Sequence, residues 1–336
     1  MTQLFVHPEV EDYFVEHDFR TAARPGGDAA RKAIVDDFVD ERLVLLRGLT
    51  FDADLSFVRS VTFHQKWKWK KLALTRFEAV SSKKRRTDPE IIEFVHDVFE
   101  DDWRRFDYFL TQSSKINQRI SSALGQVFSS YRFSQRHIIW RFTETRVENL
   151  HFDVDRNCDG LELVRLYVNL DEVPRIWYTA GTFSTVASAC YENLDLARFR
   201  DKPTDALLKR IDTGVFGDWN SRGRDKVARH LVLFEPGDVW LVDGRRVSHQ
   251  VMYGRRVVST LFVARPNGVP DPRKTFAQTV ANIHMIHQGQ SGQANVRSSL
   301  HPVTKRTPPP SPVAVDLRTA WEDLPDHVRQ QTLIRL

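Results

Sequence analysis

The stretch FEPGDVWLVDGRRVSHQVMYG (234–254) reads as a strand, a Pro-Gly turn, a second strand, and a run into His249. The sequence around it has the same character. RHIIWRF, LELVRLYVNL, HLVLFE and RVVSTLFVAR are short apolar runs, with turns supplied by Gly160, Pro236-Gly237, Gly244 and Gly254. Many short strands with Gly-rich turns predict a mostly β core, a barrel or jelly roll. The core is expected over 131–266, with one helical insert at roughly 183–228.

Upstream the periodicity changes. GDAARKAIVDDFVDE (27–41) places Ile34, Val35, Phe38 and Val39 on one helical face, and RLVLLRGL (42–49) follows as a short strand. Residues 1–24 read as an irregular start, and SSKKRRTDPE (81–90) as an exposed loop before a helix near Pro89. From 89 to 130 the pattern predicts two antiparallel helices, IIEFVHDVFEDDWRRFDYFL and INQRISSALGQVFSSY. Helical support is thus expected over 27–130, packed on the β core within one domain, 1–288. DPRKTFAQTVANIHMIHQ continues it as a further helix. Residues 289–316, with QSGQ and TPPPSP, read as a flexible linker, and 317–336 as a C-terminal helical element.

Composition sets the class. The chain has 336 residues, 41% hydrophobic and 28% charged, which excludes a disordered or fibrous protein. Cys158 and Cys190 are too few for a disulfide framework or a Cys-rich zinc site. No membrane-length apolar run or signal-peptide pattern appears, so a soluble cytoplasmic protein is expected. The formal net charge of +5 suits an anionic partner without choosing one. No nucleic-acid-binding pattern occurs, and no specific nucleic acid is expected. HQKWKWKKLAL (64–74) is basic and aromatic; it fits an anionic surface, or a solvated edge with buried tryptophans.

His151-Phe152-Asp153 is an H-x-D triplet. Twelve histidines among 44 acidic residues should give about one or two such H-x-[DE] triplets by chance, and the other is His7-Pro8-Glu9. Context separates them. Only His151 lies between predicted strands, and only it is followed by a long insert, a PGD turn, His249 and the basic pair Arg255-Arg256. Two imidazoles and a carboxylate on one face of an ion make the facial triad of non-heme Fe(II) oxygenases. The alternatives are strand-end histidines without a metal role, or a zinc or manganese cupin with the same ligands. The remaining histidines read as surface or internally satisfied groups.

The order H-x-D, long insert, His resembles the Fe(II)/2-oxoglutarate-dependent dioxygenases. More narrowly, ENLHFDVD (148–155), LVRLYVNLDEVPRIWYTAGTF (163–183) and FEPGDVWLVDGRRVSHQVMYG (234–254) are similar to the Kdo 3-hydroxylases, which act on the Kdo sugar of lipopolysaccharide. The resemblance spans roughly 135–265. It implies a double-stranded β-helix (jelly roll, cupin-like), Fe(II) held by His151, Asp153 and His249, and 2-oxoglutarate and O2 as co-substrates. It implies Arg256 as the anchor of the far carboxylate of 2-oxoglutarate. Arg265 fits the longer spacing seen in many such enzymes, and Arg165 is a third candidate because a cation in an apolar strand needs a partner. Asn169 either bonds the co-substrate or caps a turn. Arg146 and Trp177 are candidate substrate contacts, with a surface charge and a core ring as the alternatives.

The expected activity is hydroxylation of an aliphatic C–H in an acidic or sugar-containing small molecule or glycolipid, with peripheral inner-membrane contact in the glycolipid case. Alternatives are the same chemistry on an amino acid or natural-product intermediate, and a non-catalytic cupin-like metal- or sugar-binding protein.

Overall fold

The structure is a computed structural model that describes residues 2–63, 67, 74–142, 145–146, 149–154, 159–217 and 227–289. The chain separates into units 1–290 and 291–336, and the second lies outside the described residues. The expected linker beyond Gly289 and the C-terminal helix therefore lie outside them too.

Twelve strands are described, in two sheets. They are β1 (Gln3–Phe5), β2 (Phe14–Asp18), β3 (Leu43–Arg47), β4 (Phe133–Arg141), β5 (Thr145–Arg146) and β6 (Glu162–Val164). The rest are β7 (Leu166–Asn169), β8 (Arg175–Thr179), β9 (His230–Phe234), β10 (Val239–Leu241), β11 (Gln250–Gly254) and β12 (Val257–Ala264). One sheet has the order β1-β9-β8-β11-β5; the other runs β2-β3-β10-β7-β12-β4, with β6 also pairing β12. Gly254, Arg255 and Arg256 carry the chain from the first sheet into the second.

Alternation along the strands builds two cores, because successive side chains point to opposite faces. Leu166, Val168, Val239 and Leu241 join a large cluster with the helices. Tyr167 and Trp240 join a second cluster with Trp177, Phe234 and Val251 from the other sheet, and with Val247 from the segment before β11. That second cluster is the interior against which the site is built.

The helical layer comprises α1 (Phe19–Ala23), α2 (Asp28–Val39), α3 (Leu55–Ser60), α4 (Leu74–Ala79), α5 (Ser82–Arg85), α6 (Pro89–Phe99) and α7 (Trp103–Val127). On α7, Phe106, Phe109, Ile116, Ile120, Leu124 and Val127 repeat at helical spacing and are all buried. The insert forms α8 (Phe183–Cys190) and α9 (Thr204–Ile211), and α10 (Phe276–His287) packs with it in a third apolar cluster. None of the described helices is long and apolar enough to cross a membrane.

The structure corrects several sequence expectations. Residues 1–24 are not irregular: β1, β2 and α1 form there, and β2 pairs with β3 in parallel. The two helices after Pro89 divide at Glu100-Asp101, not near Leu110. Both residues have positive φ, and Asp102 then caps α7 by accepting the Arg105 N–H. A turn of helix, α5, replaces part of the expected loop at 81–90. In the basic aromatic run Trp67 is buried and donates its indole N–H to Asp97 at 2.7 Å; residues 64–66 and 68–73 lie outside the described residues.

Candidate metal centre

The backbone brings the triplet and His249 together. His151 and His249 form an antiparallel bridge in which each N–H donates to the other's carbonyl, at 3.0 and 2.9 Å. The Asp153 N–H donates to Gly244 O at 2.8 Å, and the Phe152 N–H to Asp212 Oδ1 at 2.8 Å. Phe152 points away and is fully buried, its ring 5.9 Å from Phe183 and 5.7 Å from Phe216. An apolar residue between two polar ones thus pins the triplet, while His151 and Asp153 share the opposite side.

One donor atom from each of His151, Asp153 and His249 lies within 4.8 Å of the others. Each imidazole Nε2 is 3.8 Å from Asp153 Oδ1. The Nδ1 atoms face carbonyls, Asn149 O at 2.7 Å from His151 and Val247 O at 3.3 Å from His249. A carbonyl only accepts, so each Nδ1 carries the hydrogen when the ring is neutral, and Nε2 is left to ligate. Side-chain exposure is 27% for His151, 20% for Asp153 and 7% for His249, so the cluster opens to solvent on the side of the triplet.

The three groups and Arg165 set one another's charge. Burial alone would raise the Asp153 carboxyl, but Arg165 at 3.1 Å and the two imidazoles hold it well below the usual carboxylate range. Burial opposes charge on His151 as well, yet Asp153 and the Asn149 carbonyl push it up to about 9. Burial dominates at His249 and brings it down to about 4, which keeps that ring neutral. Asp212 is raised to about 7, chiefly by burial.

The structure distributes the other predicted residues widely. Arg165 is at the centre, against Asp153. Asn169 is not: its amide donates to Val173 O and Phe234 O and accepts from the Asp171 N–H, so it holds a turn. Arg256 is also elsewhere. With Arg255 it pairs with the buried Asp171 carboxylate, at 3.4 and 2.9 Å, and it reaches Val61 O. A buried acid claims both cations because an uncompensated carboxylate there is costly. Arg265 is exposed just past the end of β12. Trp177 is only 1% exposed and cannot offer a face at the mouth; its ring lies 5.1 Å from that of His249, nearly parallel. Arg146 lies on β5 opposite Tyr253, and its side chain is outside the described residues.

Three contributors were missed in the sequence. Gly244 lets the strands close in, since a Cβ there would sit 2.2 Å from Asp153 Oδ2 and 3.0 Å from His249 Cε1. Asp212 arrives from the end of α9. Arg141, at the end of β4, faces away from the helical core that takes Ile138, Trp140 and Phe142. The residue is half-buried, its buried Nε lacks a hydrogen-bond partner among the described residues, and its charge acts on Tyr167. Alternation within RHIIWRF carried that signal, since Arg141 falls opposite Trp140.

No protein-family model matches this chain, and no curated protein matches it. Solved structures do. A cobalt(II) complex of the Kdo hydroxylase KdoO, a non-heme Fe(II) alphaketoglutarate dependent dioxygenase, aligns with a TM-score of 0.55 at 15% identity, over 81% of this chain and 95% of that one. KdoO with succinate and Fe(III) gives 0.53 at 15% identity, over the same shares. KdoO with alphaketoglutarate and Fe(III) gives 0.52 at 14% identity, over 80% and 95%. At this identity the likeness is one of fold.

Proposed function

We propose that this chain is an Fe(II)/2-oxoglutarate-dependent hydroxylase, its two sheets forming a double-stranded β-helix. The observation that carries the reading is the convergence of His151, Asp153 and His249, with both Nε2 atoms turned to one carboxylate oxygen. Two imidazoles and one carboxylate suit Fe(II) and leave coordination positions open. The residues present fit that ion.

Fe(II) bound there, with 2-oxoglutarate and O2 as co-substrates, supplies oxidative decarboxylation to succinate and carbon dioxide coupled to hydroxylation of an aliphatic C–H. The protein's part is placement. Asn149 and Val247 carbonyls fix the two rings, Arg165 keeps Asp153 ionised, and the Trp177 ring covers His249 on its inner side. A dicarboxylate also needs a cation for its far end. Arg141, whose Nε has no hydrogen-bond partner among the described residues and whose charge acts on Tyr167, takes that role in place of Arg256.

The substrate proposed is an acidic, sugar-containing molecule, with the Kdo sugar of a lipopolysaccharide precursor first. The sequence resemblance, the Kdo hydroxylase activity of the enzyme with the similar fold, and the net charge of +5 support it. The test is succinate formation by the purified Fe(II)-loaded chain with Kdo-lipid A and a panel of small acids. Stimulation by Kdo-lipid A alone supports the reading; stimulation only by an unrelated acid keeps the chemistry and replaces the substrate.

A further inference from the structure

Three residues before His249, Arg246 is 1% exposed. Its guanidinium donates to Glu162 Oε2 at 3.0 Å, Lys274 O at 3.0 Å, Val39 O at 3.2 Å and Thr279 Oγ1 at 3.3 Å. Its own carbonyl accepts the Phe183 N–H at 2.7 Å. The end of α2, β6, the turn before α10 and α10 itself thus meet at one side chain, and the start of α8 joins them at the same residue's backbone. Glu162 completes the tie by accepting the Phe276 N–H with its other oxygen.

This junction holds the loop that serves two of the three candidate ligands. Residues 243–247 present the Gly244 carbonyl to the Asp153 N–H and the Val247 carbonyl to His249 Nδ1, and then lead into His249. A shift of that loop moves Asp153 and His249 together.

A buried ion pair is a weak source of stability, because desolvation offsets most of its attraction, and an apolar pair of similar volume is often as stable. What arginine adds is a rigid planar fork with five donors in fixed directions. A lysine ammonium cannot serve four acceptors spread around that plane.

We propose that Arg246, braced by Glu162, is the positioning residue of the metal centre. It sets where the 243–247 loop places Asp153 and His249, without touching the ion. This rests on the metal-centre reading above.

The test is a Co(II) titration of the full-length chain, followed by the visible absorption of the bound ion. Four proteins are compared: native, R246K, E162Q and D171N. Co(II) affinity in R246K is expected to fall about 10–100-fold, as for loss of an outer-shell partner, with a shifted absorption band. E162Q is expected to weaken binding in the same direction, and it decides the matter if R246K does not fold. D171N breaks a different buried pair, with Arg255, and is expected to lower the melting temperature while leaving Co(II) affinity and the band unchanged. Native affinity and band in folded R246K, or in E162Q if R246K does not fold, overturns the positioning role, as does an equal loss in D171N. Absence of Co(II) uptake by the native chain overturns the metal centre itself.

Discussion

His151 and His249 are joined through their backbones, each N–H donating to the other's carbonyl at 3.0 and 2.9 Å. The spacing of the two imidazoles therefore depends on chain placement more than on rotamers. Phe152 secures that placement from behind, fully buried beside Phe183 and Phe216. Phe152→Ala should cost about 3–5 kcal/mol of stability and weaken metal binding with it. Chemical denaturation and a Co(II) titration on the same preparation check both effects. Metal affinity unchanged in a clearly destabilised variant would show that the anchor serves the fold alone.

Gly244 predicts a sharp steric contrast. A Cβ at 244 would meet the Asp153 carboxylate at 2.2 Å, whereas one at Gly125 on α7 would meet nothing within 4 Å. Gly244→Ala should destabilise by about 1–3 kcal/mol and impair metal uptake. Gly125→Ala should stabilise by about 0.5–1 kcal/mol through helix propensity. Thermal melts of the two variants are the check.

Asp212 predicts a pH signature in the metal-free protein. Burial raises its carboxyl from 3.8 to about 7, against the pull of the Phe152 N–H and His151. A folded-state value above the unfolded one gives stability that is full below the unfolded pKa. That stability is lost as pH rises, over roughly pH 4 to 7. Asp212→Asn removes the titration and can keep an oxygen for the Phe152 N–H. The variant should gain melting temperature relative to native as pH rises through that window. A difference that stays flat with pH contradicts the assignment.

Arg141 and Arg256 separate by kinetics. Arg141→Met should raise the KM for 2-oxoglutarate roughly tenfold or more, the worth of a charge-assisted hydrogen bond. Arg256→Gln should leave that KM unchanged, because Arg256 is engaged with Asp171. Steady-state assays at saturating oxygen distinguish them. The reverse pattern restores Arg256 to the site.

The sequence made the ligand set legible because H-x-D and the PGD-turn strand before His249 carry local signatures. It did not single out the arginine proposed here to hold the far carboxylate. Arg256 follows His249 closely in sequence, yet the Gly254 turn moves it to the other sheet and Asp171 holds it there. Strand alternation puts Arg141 on the face opposite Trp140, but its place beside Val257 comes from the pairing of β4 with β12, which is distant in the chain. The same limit hid β2: FVEHD is half polar and becomes a strand only because parallel β3 takes up its hydrogen bonds. The helix break at Glu100-Asp101 was hidden because two acidic residues without Gly or Pro adopt positive φ.

The most direct measurement is succinate formation from 2-oxoglutarate by the Fe(II)-loaded chain in air, with native protein and Asp153→Ala side by side. Oxygen-dependent succinate is expected from the native protein, and none from a variant that still melts cooperatively. Native-level turnover by Asp153→Ala, or no 2-oxoglutarate consumption by iron-loaded native protein with any acid or Kdo-lipid tried, would contradict the proposed function.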